Sequence, residues 1–147
     1  EHVMLVSQIL SSKPPGAIAT VPPGARVAEA AELLSAKRIG AVIVSTDGKH
    51  PQGILSERDI VRELGRRGAS VLEEVVSQLM TTKLVTCTAA DEAVEVLTWM
   101  TDGRFRHMPV MAGDEMVGII SIGDVVKARL GELAMERDAL EGMIMGN

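Results

Sequence analysis

Apolar residues along this chain fall into two rhythms, and the rhythms alternate in the same order in both halves. Val27, Ala30, Ala31 and Leu34 recur at helical spacing, as do Ala93, Val96, Leu97 and Met100, so each set predicts one buried helix face. After each helix come two short apolar runs that read as a hairpin. Ala41 to Ser45 pairs with Gln52 to Leu55 around Thr46-Asp-Gly48, and His107 to Met111 pairs with Met116 to Ile120 around Ala112-Gly-Asp-Glu115. Ahead of each helix the pattern predicts a short helix and a brief strand: Leu5 to Ser11 then Ala17 to Val21, and Leu72 to Met80 then Leu84 to Cys87. Pro22-Pro23-Gly24 and Thr88-Ala-Ala-Asp91 make the intervening turns. A last helix begins at Ser56 or at Ser121. Each copy therefore reads β-α-β-β-α, and the class is α+β in tandem.

The residues repeat as well as the rhythm. Gly53-Ile-Leu-Ser56-Glu-Arg-Asp59 returns as Gly118-Ile-Ile-Ser121-Ile-Gly-Asp124, Ser7-Gln8-Ile9-Leu10 as Ser77-Gln78-Leu79-Met80, and Thr20 as Thr86. The run Arg38-Ile-Gly-Ala-Val-Ile-Val44 answers Arg104-Phe-Arg-His-Met-Pro-Val110. A unit of this size is used twice because one copy cannot bury its apolar face alone. Gly65-Arg-Arg-Gly68 closes the first copy, giving repeats over residues 3–68 and 72–130 and an extension over 131–147. In that extension Val126, Leu130, Leu133, Leu140 and Ile144 alternate spacings of four and three, with Arg137 filling the gap. This is the rhythm of a helix-pairing seam, so we expect contact between protomers rather than a helix folded back on its own core.

Charge and composition then exclude several classes. The net charge of −5 argues against a general nucleic-acid or membrane-surface binder, since both need a basic face. No stretch approaches the roughly 20 apolar residues of a membrane span. The opening Glu1-His2 lacks an initiator methionine and reads as an appended remnant, and a cytoplasmic location is expected. Cys87, the only cysteine, lies in an apolar run and is expected to be buried and inert. With Trp99 and Phe105 the only aromatics, a planar ligand would be held by aliphatic side chains and backbone groups. No Ser-His-Asp spacing, HExxH, Walker loop or Cys-His pair marks an enzyme, and no metal site is expected.

The repeated Gly-x-x-Ser-x-x-Asp has two readings. Ser at N-cap with an acid at N3 is a capping box, which would stabilise each helix by about 1 kcal/mol. The glycine would free space where strand turns into helix. Recurrence in register favours more. A helix N-terminus offers unpaired N–H groups to a phosphate, and Arg104, Arg106 and His107 stand just upstream in the second copy. An acid beside that seat can accept hydrogen bonds from both ribose hydroxyls. The set describes a nucleotide pocket.

With these residues in place the sequence resembles a tandem pair of CBS domains, named after cystathionine β-synthase, from about Val3 to Leu130. The resemblance implies two repeats packed as a pseudo-twofold pair, with clefts that take AMP, ADP, ATP, NAD(H) or S-adenosylmethionine. It implies a homodimer and a regulatory or energy-sensing role toward an unidentified partner protein. It assigns the ribose-binding acid to Asp59 and Asp124 and its hydroxyl partner to Ser56 and Ser121. One cleft would combine Thr20, Arg104, Arg106, His107, Met108, Pro109, Ser121 and Asp124. The other would combine Thr86, Arg38, Gly40, Ala41, Val42, Ser56, Arg58 and Asp59. The Asp124 cleft is expected to favour a phosphorylated ligand, AMP above all, because Gly40 and Ala41 stand where it has Arg106 and His107. Arg58, just after Ser56, reads equally as a partial compensation and as a solvated surface charge. The expected function is a non-catalytic nucleotide sensor with no catalytic cofactor. Its competitor is a structural dimerisation module with empty clefts.

Overall fold

The computed structural model describes residues 3–14 and 18–146. Glu1, His2 and the expected strand start at Ala17 lie outside them. The order is α1 (Val6–Ser11), β1 (Thr20–Val21), α2 (Val27–Lys37), β2 (Ala41–Val44), β3 (Gly53–Ser56) and α3 (Glu57–Arg67), then α4 (Ala93–Gly103), β4 (His107–Ala112), β5 (Glu115–Ser121) and α5 (Ile122–Ile144). The α+β class and the tandem order stand. Among the described residues β1, β2 and β3 form one sheet and β4 and β5 another. β1 runs parallel to β2, with Thr20 opposite Ile43, and β2 and β3 are antiparallel, with Ala41 opposite Ser56.

The chain divides into two compact units, and neither is a continuous half of the sequence. One holds the chain up to Val85 from ahead of β1, with Gly113–Val117 of the second hairpin's turn and the start of β5; its core joins Val27, Ala30 and Leu34 of α2 to Val42, Val44, Leu55 and Ile60, and to Val71, Val76 and Leu79. The other joins α1 to Thr86–Ala112 and to the chain from Gly118 onward; Val6 and Ile9 sit with Cys87, Val96, Met100, Met108, Val110, Ile120 and Val125. The opening segment of each repeat thus lies in the core of the other. The backbone bonds match: Ala93 N–H donates to Met4 O (2.9 Å), and Val27 N–H donates to Glu74 O (2.8 Å). Leu5 bridges Glu92, and Val75 bridges Arg26.

This exchange corrects one expected element. The helix expected over Leu72 to Met80 is two 3-10 turns, Ala69–Glu73 and Val76–Gln78. Glu74 and Val75 between them are extended, because the bridge to Arg26 holds them so. A second correction concerns the strand expected over Leu84 to Cys87, which is only a bridge between Cys87 and Val110. Pro109 explains it. In the first repeat Ile43 N–H donates to Ala19 O (2.9 Å) and Ser45 N–H to Val21 O (2.9 Å). In the second, Met111 N–H still donates to Cys87 O (2.8 Å), but Pro109 stands where Ile43 does and has no N–H to give.

The repeated glycines are fixed by the same exchange. A Cβ on Gly118 would lie 2.6 Å from a methyl of Leu10, and one on Gly53 would lie 2.8 Å from Cγ of Met80. Leu10 and Met80 are themselves equivalent positions in the repeat. Strand and opening segment therefore touch through a missing side chain, a closer constraint than space at the strand-to-helix corner.

Candidate functional site

Both Ser-x-x-Asp phrases form closed capping boxes. Asp59 N–H donates to Ser56 Oγ (3.2 Å) while Ser56 N–H donates to Asp59 Oδ2 (3.0 Å), and Ser56 Oγ–H also donates to Oδ2 (2.9 Å). In the second repeat Asp124 N–H donates to Ser121 Oγ (3.1 Å) and Ser121 N–H to Asp124 Oδ2 (2.9 Å). The first N–H of each helix is also taken. Glu57 donates to Gly40 O and Ile122 to Arg106 O, at 2.9 and 2.8 Å. Two of the first three N–H groups at each helix start are thus used within the chain, which narrows the seat that the bare helix terminus offers to a phosphate.

Those same bonds join part of each expected set. In one unit Gly40, Ala41 and Val42 lie against Ser56 and the first turn of α3, with Ala41 opposite Ser56 and Val42 opposite Leu55. Arg58 is exposed there, and an open hollow of about 370 Å³ is lined by Glu57, Arg58, Val61 and Arg62. In the other unit Arg106, through its carbonyl, joins the segment from Arg104 to Pro109 to the start of α5. Arg104 and Arg106 are exposed, His107 is half-buried, and Met108 and Pro109 are buried. Met108 belongs to the core, so what it can offer a ligand is backbone. Thr20, half-buried on β1, belongs to the unit that holds Asp59; exposed Thr86 belongs to the unit that holds Asp124.

Arg38 and Arg104 share an unusual backbone. They cap α2 and α4 and are the positive-φ residues other than glycine among those described, at 53° and 57°. The left-handed conformation costs an L-residue roughly 1 kcal/mol. Its recurrence at equivalent arginines means that both repeats turn toward β2 and β4 through the same strained corner.

Two partners of the acids were not foreseen. Lys13 Nζ donates to Asp124 Oδ2 at 2.7 Å and to Ile119 O at 2.9 Å. Arg62 reaches Asp59 Oδ1 at 3.2 Å. Arg62 lies three residues after Asp59 on one helix face, a spacing the sequence displays. Nothing local marks Lys13, which meets Asp124 only through the exchange of opening segments. Burial raises the pKa of Asp124, but the hydrogen bonds from Lys13 and the Ser121 N–H and the Lys13 charge outweigh it, so its carboxyl lies below the ordinary range. It is ionised wherever a nucleotide would meet it.

The remaining reactive types stand apart from these groups. Cys87 is buried, and desolvation pushes its thiol up to about 12, so it is inert as expected. His50 lies in the turn after β2, where its hydrogen bond to Asp47 raises its pKa and Asp114 lies 3.6 Å from Nε2. Among the described residues no group of His, Cys, Asp and Glu could hold a metal, and no helix is long and apolar enough to cross a membrane.

Comparison with known proteins identifies the fold. A family model described as "CBS domain" matches the chain twice, over residues 6–66 and 76–131. A mitochondrial CBS domain-containing protein of Arabidopsis thaliana is 35% identical over 124 residues, which are 82% of this chain and 60% of that protein. The chain thus spans less than two thirds of that relative's length. The crystal structure of a CBS-domain containing protein from Agrobacterium tumefaciens is 42% identical, with a TM-score of 0.80 over 86% of this chain and 99% of that one. A CBS domain protein from Pyrobaculum aerophilum, complexed with AMP, is 27% identical with a TM-score of 0.72, covering 82% and 89%.

Proposed function

Because the chain belongs to the CBS-domain family, we propose that it is a non-catalytic regulatory module that binds adenosine nucleotides at the Ser-x-x-Asp helix starts of its two repeats. AMP is the foremost ligand, with ADP, ATP or NAD(H) as further adenosine compounds of the same kind. The observation that carries the reading is the doubled arrangement itself. In each repeat a carboxylate is fixed by its own capping box at the junction of strand and helix, beside the residues that precede the hairpin. A relative of the same fold holds AMP. Asp124 supplies an ionised acceptor for ribose hydroxyls, and Arg104, Arg106 and His107 supply partners for a phosphate. The module reports nucleotide level to a partner protein in the cytoplasm and works as a homodimer.

The competing reading, a structural dimerisation module, has its own support in the closed capping boxes, which are complete without any ligand. Calorimetric titration with AMP separates the two. In the nucleotide reading Asp124→Ala weakens binding at least about tenfold, since two charge-assisted bonds are lost at roughly 1.5 to 3 kcal/mol each before water compensates. Asp59→Ala has the smaller effect. In the capping reading the same changes cost about 1 kcal/mol of stability and leave affinity unaltered.

A further inference from the structure

Among the described residues Lys13 is the one cation on the carboxylate of Asp124, and its setting is built rather than incidental. Its ammonium is held at two points, Asp124 Oδ2 at 2.7 Å and Ile119 O at 2.9 Å, and its side chain is only 21% exposed against 27% for Asp124. A pair so placed is screened less than a surface pair. The residue recurs: Ser7-Gln8-Ile9-Leu10-Ser11-Ser12-Lys13 answers Ser77-Gln78-Leu79-Met80-Thr81-Thr82-Lys83. Yet Lys83 is exposed, and the cation on Asp59 is Arg62, 54% exposed. The two half-sites therefore differ in the charge that sits on the acid.

We propose that Lys13 sets the charge preference of the Asp124 half-site, selecting adenosine ligands that carry a phosphate over the uncharged nucleoside and over cationic adenosine sulfonium compounds. The proposal rests on the nucleotide-binding reading above. An ammonium has three N–H donors, and two are engaged. The third is left for a ligand oxygen. Both Lys13 and the Ser121 N–H bond Oδ2, so Oδ1 can accept from a ribose hydroxyl while the lysine stays in place. A 5′-phosphate hangs from the same sugar, within the sweep of a flexible four-carbon stem. A sulfonium at that position would instead face Lys13 as a like charge, with the attraction of Asp124 already neutralised.

Titration calorimetry of the parent, Lys13→Gln, Lys13→Met and Lys13→Arg with AMP, adenosine and S-adenosylmethionine tests this at the site that Asp124→Ala removes. The parent should bind AMP at least about tenfold more tightly than adenosine. Lys13→Gln and Lys13→Met should lose about tenfold or more for AMP, keep adenosine within about twofold, and bind S-adenosylmethionine no more weakly than the parent. Lys13→Arg should keep most of the AMP affinity. Retained adenosine binding also reports that the variants are folded. If neither neutral variant weakens AMP, or if AMP and adenosine weaken together in both, Lys13 only braces the fold and the proposal is wrong. A parent that binds no adenosine compound overturns the nucleotide reading itself.

Discussion

Gly118 and Gly53 are each defined by the side chain they lack. Leu10 lies where a Cβ on Gly118 would be, 2.6 Å from one methyl, and Leu10 is only half-buried. Gly118→Ala should therefore cost about 1 kcal/mol, at the lower end of the overpacking range, because the end of Leu10 can give way. Gly53→Ala meets the Thr81 carbonyl as well, at 3.1 Å, and backbone cannot rotate aside, so it should cost more. Urea unfolding of both variants checks the order, and equal midpoints with the parent would show that the opening segments do not press on these strands. The glycines could be read from the sequence as a repeated position, but their reason could not. Spacing displays Gly, Ser and Asp in one phrase, whereas the contact with Leu10 or Met80 is made by distant residues. Lys13 was hidden for the same cause, while Ser56, Asp59, Ser121 and Asp124 were legible because a capping box is local.

Periodicity locates an element well where the element makes its own hydrogen bonds and poorly where it borrows them. The helices α2 and α4 and the two hairpins fall where the apolar spacing puts them. The failures are the two segments before α4, where a bridge to Arg26 and the missing N–H of Pro109 decide. In α5 the pattern separates two faces. Val125, Ala128 and Glu132 are buried, whereas Val126, Leu130, Leu133, Leu140 and Ile144 are exposed. Glu132, 2% exposed, accepts from Met4 N–H at 3.0 Å and so ties this helix to the opening of the chain. An exposed seam of that length fits our proposal that α5 contributes to a dimer. Removal of every residue beyond Leu130 should shift the assembly toward monomer in light scattering. A dimer that survives the deletion unchanged would put the interface elsewhere.

At the scale of the whole molecule, duplication and exchange are two separate facts, and only the first is written in the sequence. The tandem order follows from repeated phrases. That α1 lies with the second repeat's core, and that Val76 and Leu79 lie with the first's, follows from packing that no spacing encodes. It also separates the two candidate acids in kind, since among the described residues Asp124 meets a lysine from an opening segment and Asp59 an arginine of its own helix. In our proposal this duplicated scaffold binds an adenosine compound rather than only joining two copies of itself. Thermal or urea unfolding in the presence of AMP, ADP, ATP, NADH and S-adenosylmethionine, with a guanosine nucleotide as control, decides between the two. At about 100 times its dissociation constant a bound ligand adds roughly 2.7 kcal/mol of stability. A gain of that order is expected for AMP and none for the guanosine control; unchanged stability with every adenosine compound at millimolar concentration would leave the scaffold as a joining module alone.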